Sequence, residues 1–416
     1  MTQFPVKELR ASFPALNNGE DFIFFDNAAG AQIPQSVLEA VTSHLVNCNV
    51  QRGGPYPKSQ QVDATVARAR QSVCEFVNGY HADEIAFGMN ATSFIRMVSL
   101  AIGQTLAERN EIVVTEMDHE ANVATWLALE REGAQFRWWC VRDDGNLHIA
   151  DLVPLLSSAT RLVACTVTSN ATGSVVNVAE VAKHAHSVGA EVFLDCVHFA
   201  PHGAIDVQAF GCDYLVCSGY KVFSPHMGFL WGRRELLEKL PTFREDFIPN
   251  QPPAKLEAGT FVYENVAGMD AAVNYLAALG ERLDLDTPTA SRRANLVRAL
   301  EAIRAYEQSL SLEMLCVLKE AGVEVYGVRD PKQVSQRVPT FSFNLDGIPP
   351  AVVATEMARN RIGVRDGHMY SPRLIKRLGL KQETGAVRAS LVHYNAVEEV
   401  HHFGEVLREI GKSHGQ

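Results

Sequence analysis

The chain has 416 residues, of which 47% are hydrophobic and 21% charged, and its formal net charge is −10 at pH 7. This length predicts two or three domains, and the composition excludes disorder over most of the chain. The negative charge argues against a general nucleic-acid binder. The sequence shows no membrane-spanning apolar run and no secretory leader, so we expect a cytoplasmic protein without a membrane partner.

Eight cysteines are spread along the chain, and none forms a CxxC pair or another zinc-binding spacing. Several lie inside apolar runs. We therefore expect reduced cysteines in a reducing compartment and no metal site. They are Cys48, Cys74, Cys140, Cys165, Cys196, Cys212, Cys217 and Cys316.

The first two thirds of the chain alternate helix and strand candidates. Helices are predicted at 58–78, 92–108, 121–132, 178–188 and 205–210. Strands are predicted at 111–117, 136–141, 161–168, 191–195, 214–218 and 228–231. Strands that are apolar on both faces and alternate with helices indicate an α/β layer structure with a largely parallel sheet.

The pattern changes after about residue 262. Helices are predicted at 266–279 and 291–321, followed by an alternating strand at 340–345 and a terminal amphipathic helix. This is an α+β pattern. We therefore assign residues 16–262 to a large domain and residues 263–416 to a smaller one, joined by residues 1–15.

Polar residues follow three predicted strands. His119 comes after the strand at 111–117, Asp195 closes the strand at 191–195, and Lys221 follows the strand at 214–218. Ligands of open α/β sheets bind beyond these carboxyl ends. A lysine and a carboxylate at neighbouring strand ends indicate pyridoxal 5′-phosphate (PLP), which is held by a lysine and needs a carboxylate at its ring nitrogen. Residues 90–93 open a helix and can supply amides and hydroxyls to its phosphate.

Each of these residues has an ordinary alternative when taken singly. Lys221 alone is more often a solvated surface charge, His119 a structural histidine, and residues 90–93 a common N-cap pattern. Asp195 alone is as readily a helix cap or turn residue. The order and spacing of the four features together carry the prediction.

Motifs along nearly the whole chain, from about residue 24, strengthen this interpretation. In order they are FFDNAAGAQIPQSV, VTEMDHEANVATW, TSNATGSVVNV, VFLDCVHFAPH, CSGYKVFSPHMGFLWG, LEAGT and VRASLVHYN. This set resembles the class V aminotransferase-type PLP enzymes of the cysteine desulfurase group. The resemblance implies PLP-dependent transferase fold type I, with a mostly parallel seven-stranded sheet in the large domain and a smaller C-terminal α+β domain. It also implies a homodimer with shared active sites.

The resemblance further implies residue roles. Lys221 and His119 would be catalytic: Lys221 would bind the cofactor covalently, and His119 would stack on its ring. Asp195 would pair with the ring nitrogen. The other cofactor contacts would come from Ala91, Thr92, Asn170, His198, Ser218 and Tyr220, and from Thr260 of the neighbouring subunit. The carboxylate of the substrate would bind Arg388. Other substrate contacts would come from Arg365, Asn27, Ala28, Ala29 and Tyr370.

Three positions depart from the desulfurase pattern. Tyr370 stands where these enzymes carry a loop cysteine, and a phenol cannot form a persulfide, because that chemistry needs a thiolate. His198 replaces a glutamine and Tyr220 replaces a histidine, and in both respects the chain is more similar to kynureninases. His198 either titrates near neutral pH, which would make the cofactor spectrum pH-dependent, or acts as an equivalent neutral donor.

We therefore expect a PLP enzyme that acts on an α-amino acid, with Lys221 as the base for the α-proton. Cleavage of a C–S bond without a loop persulfide is the favoured reaction. The alternatives are transamination, epimerisation and kynureninase-type hydrolysis on the same scaffold, or a non-catalytic PLP-binding subunit. The sequence names neither the substrate nor a sulfur-acceptor protein.

Overall fold

A computed structural model describes residues 4–283 and 291–414 of the chain. The predicted domain at 263–416 and the segment 1–15 each include residues outside this described part, namely 1–3, 284–290 and 415–416. The division at residue 262 stays a prediction. Within the described residues, strand Ile23–Phe24 pairs with Ile362–Gly363 and so ties the start of the large domain to the C-terminal part.

A seven-stranded sheet forms the centre of the fold. In spatial order its strands are Ile85–Gly88 (β2), Gly228–Gly232 (β8), Tyr214–Ser218 (β7), Glu191–Asp195 (β6), Thr160–Thr166 (β5), Glu111–Thr115 (β3) and Gln135–Trp139 (β4). Only β8 runs antiparallel to its neighbours. The predicted mostly parallel sheet of fold type I is therefore confirmed.

Alternate residues of this sheet enter opposite cores, since successive side chains of a strand point to opposite faces. Val113 packs into the cluster with the long helices, whereas Val114 packs with Phe94 and Trp126 on the other face. Each fully buried valine or leucine contributes about 1.5–3 kcal/mol relative to exposure. Both faces are covered, which explains why the strands are apolar throughout.

Fourteen α-helices surround this sheet and the C-terminal unit within the described residues. Their bounds are Val6–Arg10 (α1), Gln35–Cys48 (α2), Pro57–Val77 (α3), Ala91–Gly103 (α4), Ala121–Leu127 (α5), Ile149–Leu152 (α6), Val178–Ser187 (α7), Val207–Phe210 (α8), Arg234–Lys239 (α9), Tyr263–Arg282 (α10), Arg292–Glu320 (α11), Pro350–Arg359 (α12), Pro372–Arg377 (α13) and Val397–His414 (α14). None of these helices has both the length and the apolar character needed to cross a bilayer.

The C-terminal part adds a four-stranded antiparallel sheet. In spatial order its strands are Arg365–Gly367 (β12), Ala386–Ser390 (β13), Thr340–Asn344 (β10) and Glu324–Tyr326 (β9). The remaining strands, Ile23–Phe24 (β1) and Ile362–Gly363 (β11), form a parallel pair. Helices α11, α12 and α14 supply much of the second core beside this sheet.

The predicted helices and strands agree with the structure to within a few residues at most ends. The predicted helix at 92–108 stops earlier, at Gly103, and the one at 121–132 is an α-helix to Leu127 followed by a 3-10 helix. Strand β13, which has five residues, was not predicted, and neither were the short strands β1, β9, β11 and β12. These short strands are two or three residues long and too short to show a clear period.

Candidate active site

Lys221 and Asp195 lie at the carboxyl ends of two adjacent parallel strands. Asp195 is the last residue of β6, and Lys221 lies in the turn Gly219–Lys221 that directly follows β7. The amide of Gly219 donates to the carbonyl of Met227, which turns the chain back toward β8. Both side chains are buried and line the same cavity.

Burial changes the acid–base properties of this pair. It lowers the pKa of Lys221 to about 8, with a further contribution from Arg388 and a partial offset by Asp195. Burial raises the pKa of Asp195, although the amide of Val197, 2.9 Å from its carboxylate, and the charge of Lys221 oppose this. The cavity therefore holds a carboxylate beside an amine that is partly neutral near neutral pH.

His119 lines the same cavity. Its Nδ1 accepts a hydrogen bond from the amide of Ala121 at 3.1 Å, which fixes the ring at the start of α5. Burial, together with Lys221 and Arg388, lowers the pKa of His119 to about 4. Its ring is therefore neutral at neutral pH and presents an uncharged face to the cavity.

Asp118, the residue before His119, is hydrogen-bonded to the end of β3 and to α5. Its buried carboxylate accepts hydrogen bonds from Thr115 and from Asn122, the latter at 2.7 Å, and Trp126 donates to Asn122 at 2.9 Å. Burial raises the pKa of Asp118 to about 7. The sequence shows Asp118 beside His119, but nothing in it separates a supporting carboxylate from a reacting one.

The amino-terminal end of α4 forms one side of the cavity. Asn90 caps the helix by accepting from the amide of Ser93 at 2.9 Å, and the amide of Ala91 donates to the hydroxyl of Ser218 at 3.1 Å. Ala91, Thr92 and Ser218 all line the cavity. A Cβ at Gly228 would lie 2.6 Å from Asn90 Cα, so glycine is needed for this approach. Helix amides and hydroxyls of this kind suit a phosphate group.

Two buried polar atoms at the cavity have no hydrogen-bond partner in the described part of the chain. They are Oγ1 of Thr168 and Nδ1 of His198. Buried polar groups are normally paired, so an unpaired set around a cavity indicates a polar ligand. Thr168 was not predicted from the sequence, because a threonine after a strand carries no specific signal.

Arg388 lies beside the cavity on β13 and is itself buried. One terminal nitrogen of its guanidinium donates to the main-chain oxygen of Asn170 at 2.9 Å, and the other donates to Asp26 at 2.9 Å. Arg365 donates to the second oxygen of Asp26 at 2.7 Å. Asp26 lies in the first quoted motif, yet its place between two arginines was not foreseen.

The segment 364–372, which carries Tyr370, is fastened to the active site. The side chain of Asn170 donates to the carbonyl of Met369 at 2.7 Å and accepts from Ser371 at 2.9 Å. The amide of Glu120 donates to the carbonyl of Tyr370 at 2.8 Å. The ring of Tyr370 lies 5.7 Å from that of His119, centroid to centroid. Asn170 lines the cavity, but its side-chain amide is already hydrogen-bonded to this segment.

The structure does not bring every predicted residue to the cavity. Asn27 uses its whole side chain internally: it donates to Phe24, Ser390 and Asn395 and accepts from Tyr394. A substrate contact by Asn27, Ala28 or Ala29 would therefore involve main-chain atoms or a methyl group. Thr260 lines a different cavity, where Gln51 donates to its hydroxyl.

The model of the family described as aminotransferase class V matches residues 23–403. The chain belongs to the class V aminotransferase family. It is 33% identical to a cysteine desulfurase of Synechococcus elongatus, over 98% of this chain and 64% of that protein. It is 34% identical to an aminotransferase-like protein, FGM3, of Gibberella zeae, over 96% of each chain.

Solved structures agree with this family. The apo structure of a cysteine desulfurase from Thermococcus onnurineus superposes with a TM-score of 0.87 at 27% identity, and 99% of each chain is covered. This member of the class V aminotransferase family is thus a PLP-dependent, cysteine desulfurase-like enzyme. The buried lysine, the buried carboxylate, the helix terminus and the two unpaired polar atoms fit that cofactor.

Proposed function

We propose that this enzyme cleaves a C–S bond of an α-amino acid without a loop persulfide. The observation that supports it best is the shared cavity of Lys221 and Asp195, with the guanidinium of Arg388 beside it. Lys221 provides an amine that can bind the cofactor and accept a proton, and Asp195 provides a carboxylate for the ring nitrogen of the cofactor. Arg388 provides a cation for a substrate carboxylate.

The residues of the cavity would hold PLP in distinct ways. Lys221 would bind it covalently, Asp195 would keep its ring nitrogen protonated, and His119 would cover one face of the ring. Its phosphate would bind at the start of α4. The other contacts would come from Ala91, Thr92, Asn170, His198, Ser218 and Tyr220. When bound, the cofactor supplies an electron-withdrawing ring that stabilises negative charge at Cα of an amino acid.

Lys221 would then move the proton at Cα. Its lowered pKa of about 8 leaves a useful fraction of neutral amine near neutral pH, and this amine lies in the same cavity as the cofactor-binding groups. A base with a pKa near the working pH is the most effective proton carrier. Arg388, and more weakly Arg365, would orient the substrate by its carboxylate.

The departing sulfur would meet no thiol in this cavity. Among the described residues, no cysteine lines it, and the loop position is Tyr370. Cys196 and Cys217 lie close in sequence to Asp195 and Lys221, but burial raises the pKa of both thiols. Neither is therefore a ready nucleophile. We therefore propose that sulfur leaves directly or passes to an external thiol, with Tyr370 contacting the substrate.

We further propose a homodimer in which Thr260 reaches the partner's cofactor phosphate. Thr260 is exposed and lies away from the cavity of its own chain. Near it in sequence, Phe243 and Phe247 are 93% and 80% exposed. Large apolar side chains this exposed suit burial against a second subunit.

We also propose that the enzyme works in the cytoplasm. All eight cysteines are free, two of them at the surface, which suits a reducing compartment.

The direct test is to incubate the PLP-loaded enzyme with L-cysteine and a reductant and to quantify sulfide, pyruvate and alanine. Sulfide with pyruvate indicates β-elimination, and sulfide with alanine indicates desulfuration to an external thiol. Lys221→Ala should abolish turnover, whereas the exposed Lys239→Ala should retain it. Turnover by Lys221→Ala would contradict the proposal.

A second candidate is hydrolytic C–C cleavage of the kynureninase type. His198 and Tyr220 favour it, since both replace the desulfurase residues and both line the cavity. Anthranilate released from kynurenine, with no sulfide from cysteine, would select it. An oxo acid or a D-amino acid would instead indicate transamination or epimerisation. Failure to exchange any α-proton across an amino-acid panel would indicate a non-catalytic subunit.

A further inference from the structure

His198 is held from the C-terminal sheet by one ring nitrogen. Its Nε2 lies 2.9 Å from the hydroxyl of Thr340, the first residue of β10. Its ring lines the cavity, and its Nδ1 has no partner among the described residues. Nδ1 is therefore the nitrogen available to a group inside the cavity.

The protonation of this ring decides what it offers to the cavity. Burial, with His202, Lys221 and Arg388 nearby, lowers the pKa of His198 well below its usual value, so the ring is neutral. A neutral imidazole carries one donor and one acceptor nitrogen. If the hydroxyl of Thr340 donates to Nε2, the hydrogen must be on Nδ1.

Both neighbours of His198 are themselves fixed. The ring of His202 stands edge-on to it at 5.3 Å and is bound to the buried carboxylate of Glu307 at 2.8 Å. The other neighbour, Thr340, is held by Arg337, which donates to its main-chain carbonyl. His198 therefore has little freedom to turn its Nδ1 elsewhere.

Arg337 is an unusual support because it is buried and all its hydrogen bonds go to main-chain carbonyls. Besides Thr340 these belong to Thr172, Val328 and Val338. Its guanidinium lies 3.7 Å over the ring of Phe341. Thr172 follows Asn170 in the large domain, so Arg337 links the strand that carries Thr340 to the cavity wall.

We propose that Thr340 is a positioning residue of the cofactor site, whose hydroxyl donates to Nε2 of His198 and so presents Nδ1–H to the phenolic oxygen of PLP. Thr340 acts through His198 and does not touch the cofactor itself. The inference rests on the family's cofactor and on the roles proposed above for the cavity residues. It does not depend on which bond of the substrate is cleaved.

The test compares Thr340→Val, which keeps the shape and removes the hydroxyl, with Thr340→Ser, which keeps the hydroxyl. Equilibrium binding of PLP to the apo-protein should weaken about tenfold in Thr340→Val, because the ring of His198 is then no longer held in the tautomer that offers Nδ1–H to the cofactor. It should change less than about twofold in Thr340→Ser. The visible absorption maximum of the loaded protein should shift only in Thr340→Val. Unchanged affinity and spectrum in Thr340→Val would overturn the proposal.

A double-mutant cycle separates positioning from a merely structural role. In a His198→Ala background, Thr340→Val should cause no further loss of PLP affinity. An equal loss with and without His198 would show that Thr340 acts on the fold alone. Neither result depends on turnover, so a failed C–S cleavage assay leaves this test intact.

The unaltered protein offers a measurement that needs no folded Thr340 variant. With 15N-labelled histidine, the His198 signals are identified by their loss in His198→Gln. A hydrogen on Nδ1 supports the proposal. A hydrogen on Nε2 overturns it.

Discussion

The carboxylate of Asp26 accepts a hydrogen bond from Arg388 over 2.9 Å, next to the cofactor cavity. Its other oxygen accepts from Arg365 at 2.7 Å. One negative charge thus lies between two positive ones, and the trio carries a net charge of about +1. This balance suits a substrate with one free carboxylate, since a second acidic group would meet Asp26.

The first prediction concerns Asp26→Asn. Removing the negative charge leaves both arginines without an internal counter-ion, so kcat/KM for substrates with a second carboxylate should rise relative to that for substrates with one. We expect the ratio of the two kcat/KM values to shift by roughly tenfold or more, the size of one charge-assisted hydrogen bond. The kinetics should be measured at low and high salt, because screening must reduce the gain. An unchanged ratio at low salt would show that Asp26 has no part in selection.

The second prediction concerns Arg388→Lys. Arg388 spans Asn170 and Asp26 with its two amines, which a single ammonium cannot do. We expect kcat/KM for the amino acid to fall by about 10- to 100-fold, equivalent to about 1.5–3 kcal/mol. PLP binding, followed by absorbance, should be retained. A loss of cofactor without a change in kcat/KM of the loaded fraction would contradict a substrate role.

The third prediction is a pH dependence that follows from Lys221. Its pKa is lowered to about 8, so about a tenth of the amine is neutral at pH 7 and about nine tenths at pH 9. Amine labelling of Lys221 in the apo-protein, read by mass spectrometry, should rise about tenfold over this range and then level off. Arg388→Met removes a charge that lowers this pKa and should move the midpoint upward. A midpoint near the ordinary value of lysine in the unaltered chain would contradict the structure.

The fourth prediction decides between the two interpretations of His198. Since burial lowers its pKa well below the usual value, the ring stays neutral through the neutral range. We therefore expect the neutral-donor alternative: absorbance of the loaded enzyme between pH 6 and 8 should titrate alike in the unaltered protein and in His198→Gln. A titration seen in the unaltered protein but not in His198→Gln would show instead that His198 itself titrates in this range.

The sequence was informative about the fold because the strands of the large sheet are buried on both faces. Runs such as 111–117 and 191–195 therefore stand out from the helices between them. It was also informative about the cavity, where Ala91, Thr92, His119, Asn170, Asp195, His198, Ser218, Tyr220 and Lys221 do come together. These residues follow strands or open a helix, and strand ends meet at one edge of the sheet.

Contacts between distant segments were not predictable. Asp26 and Arg365 are far apart in the chain, and so are His198 and Thr340. Their pairing depends on how the C-terminal sheet sits against the large one, which no local period encodes. The engagement of the Asn170 side chain by the Tyr370 segment is of the same kind.

The last prediction concerns the loop position. The hydroxyl of Tyr370 lies within electrostatic range of Arg365 and Arg388, and its ring lies beside His119. Tyr370→Cys would place a thiol on this segment, and its thiolate can act as a nucleophile, which the phenol cannot replace in persulfide chemistry. With L-cysteine as substrate, this variant should form a persulfide and move the products from pyruvate toward alanine.

Tyr370→Ser is the matched control, since it also removes the ring but adds no thiol. Both variants carry the same backbone cost, because Tyr370 has a φ of 58°. Persulfide labelling and the alanine-to-pyruvate ratio should therefore differ between them only through the sulfur atom. If both variants give the same ratio, the loop position does not face the departing sulfur, and the proposed direct release would need another explanation than the missing cysteine.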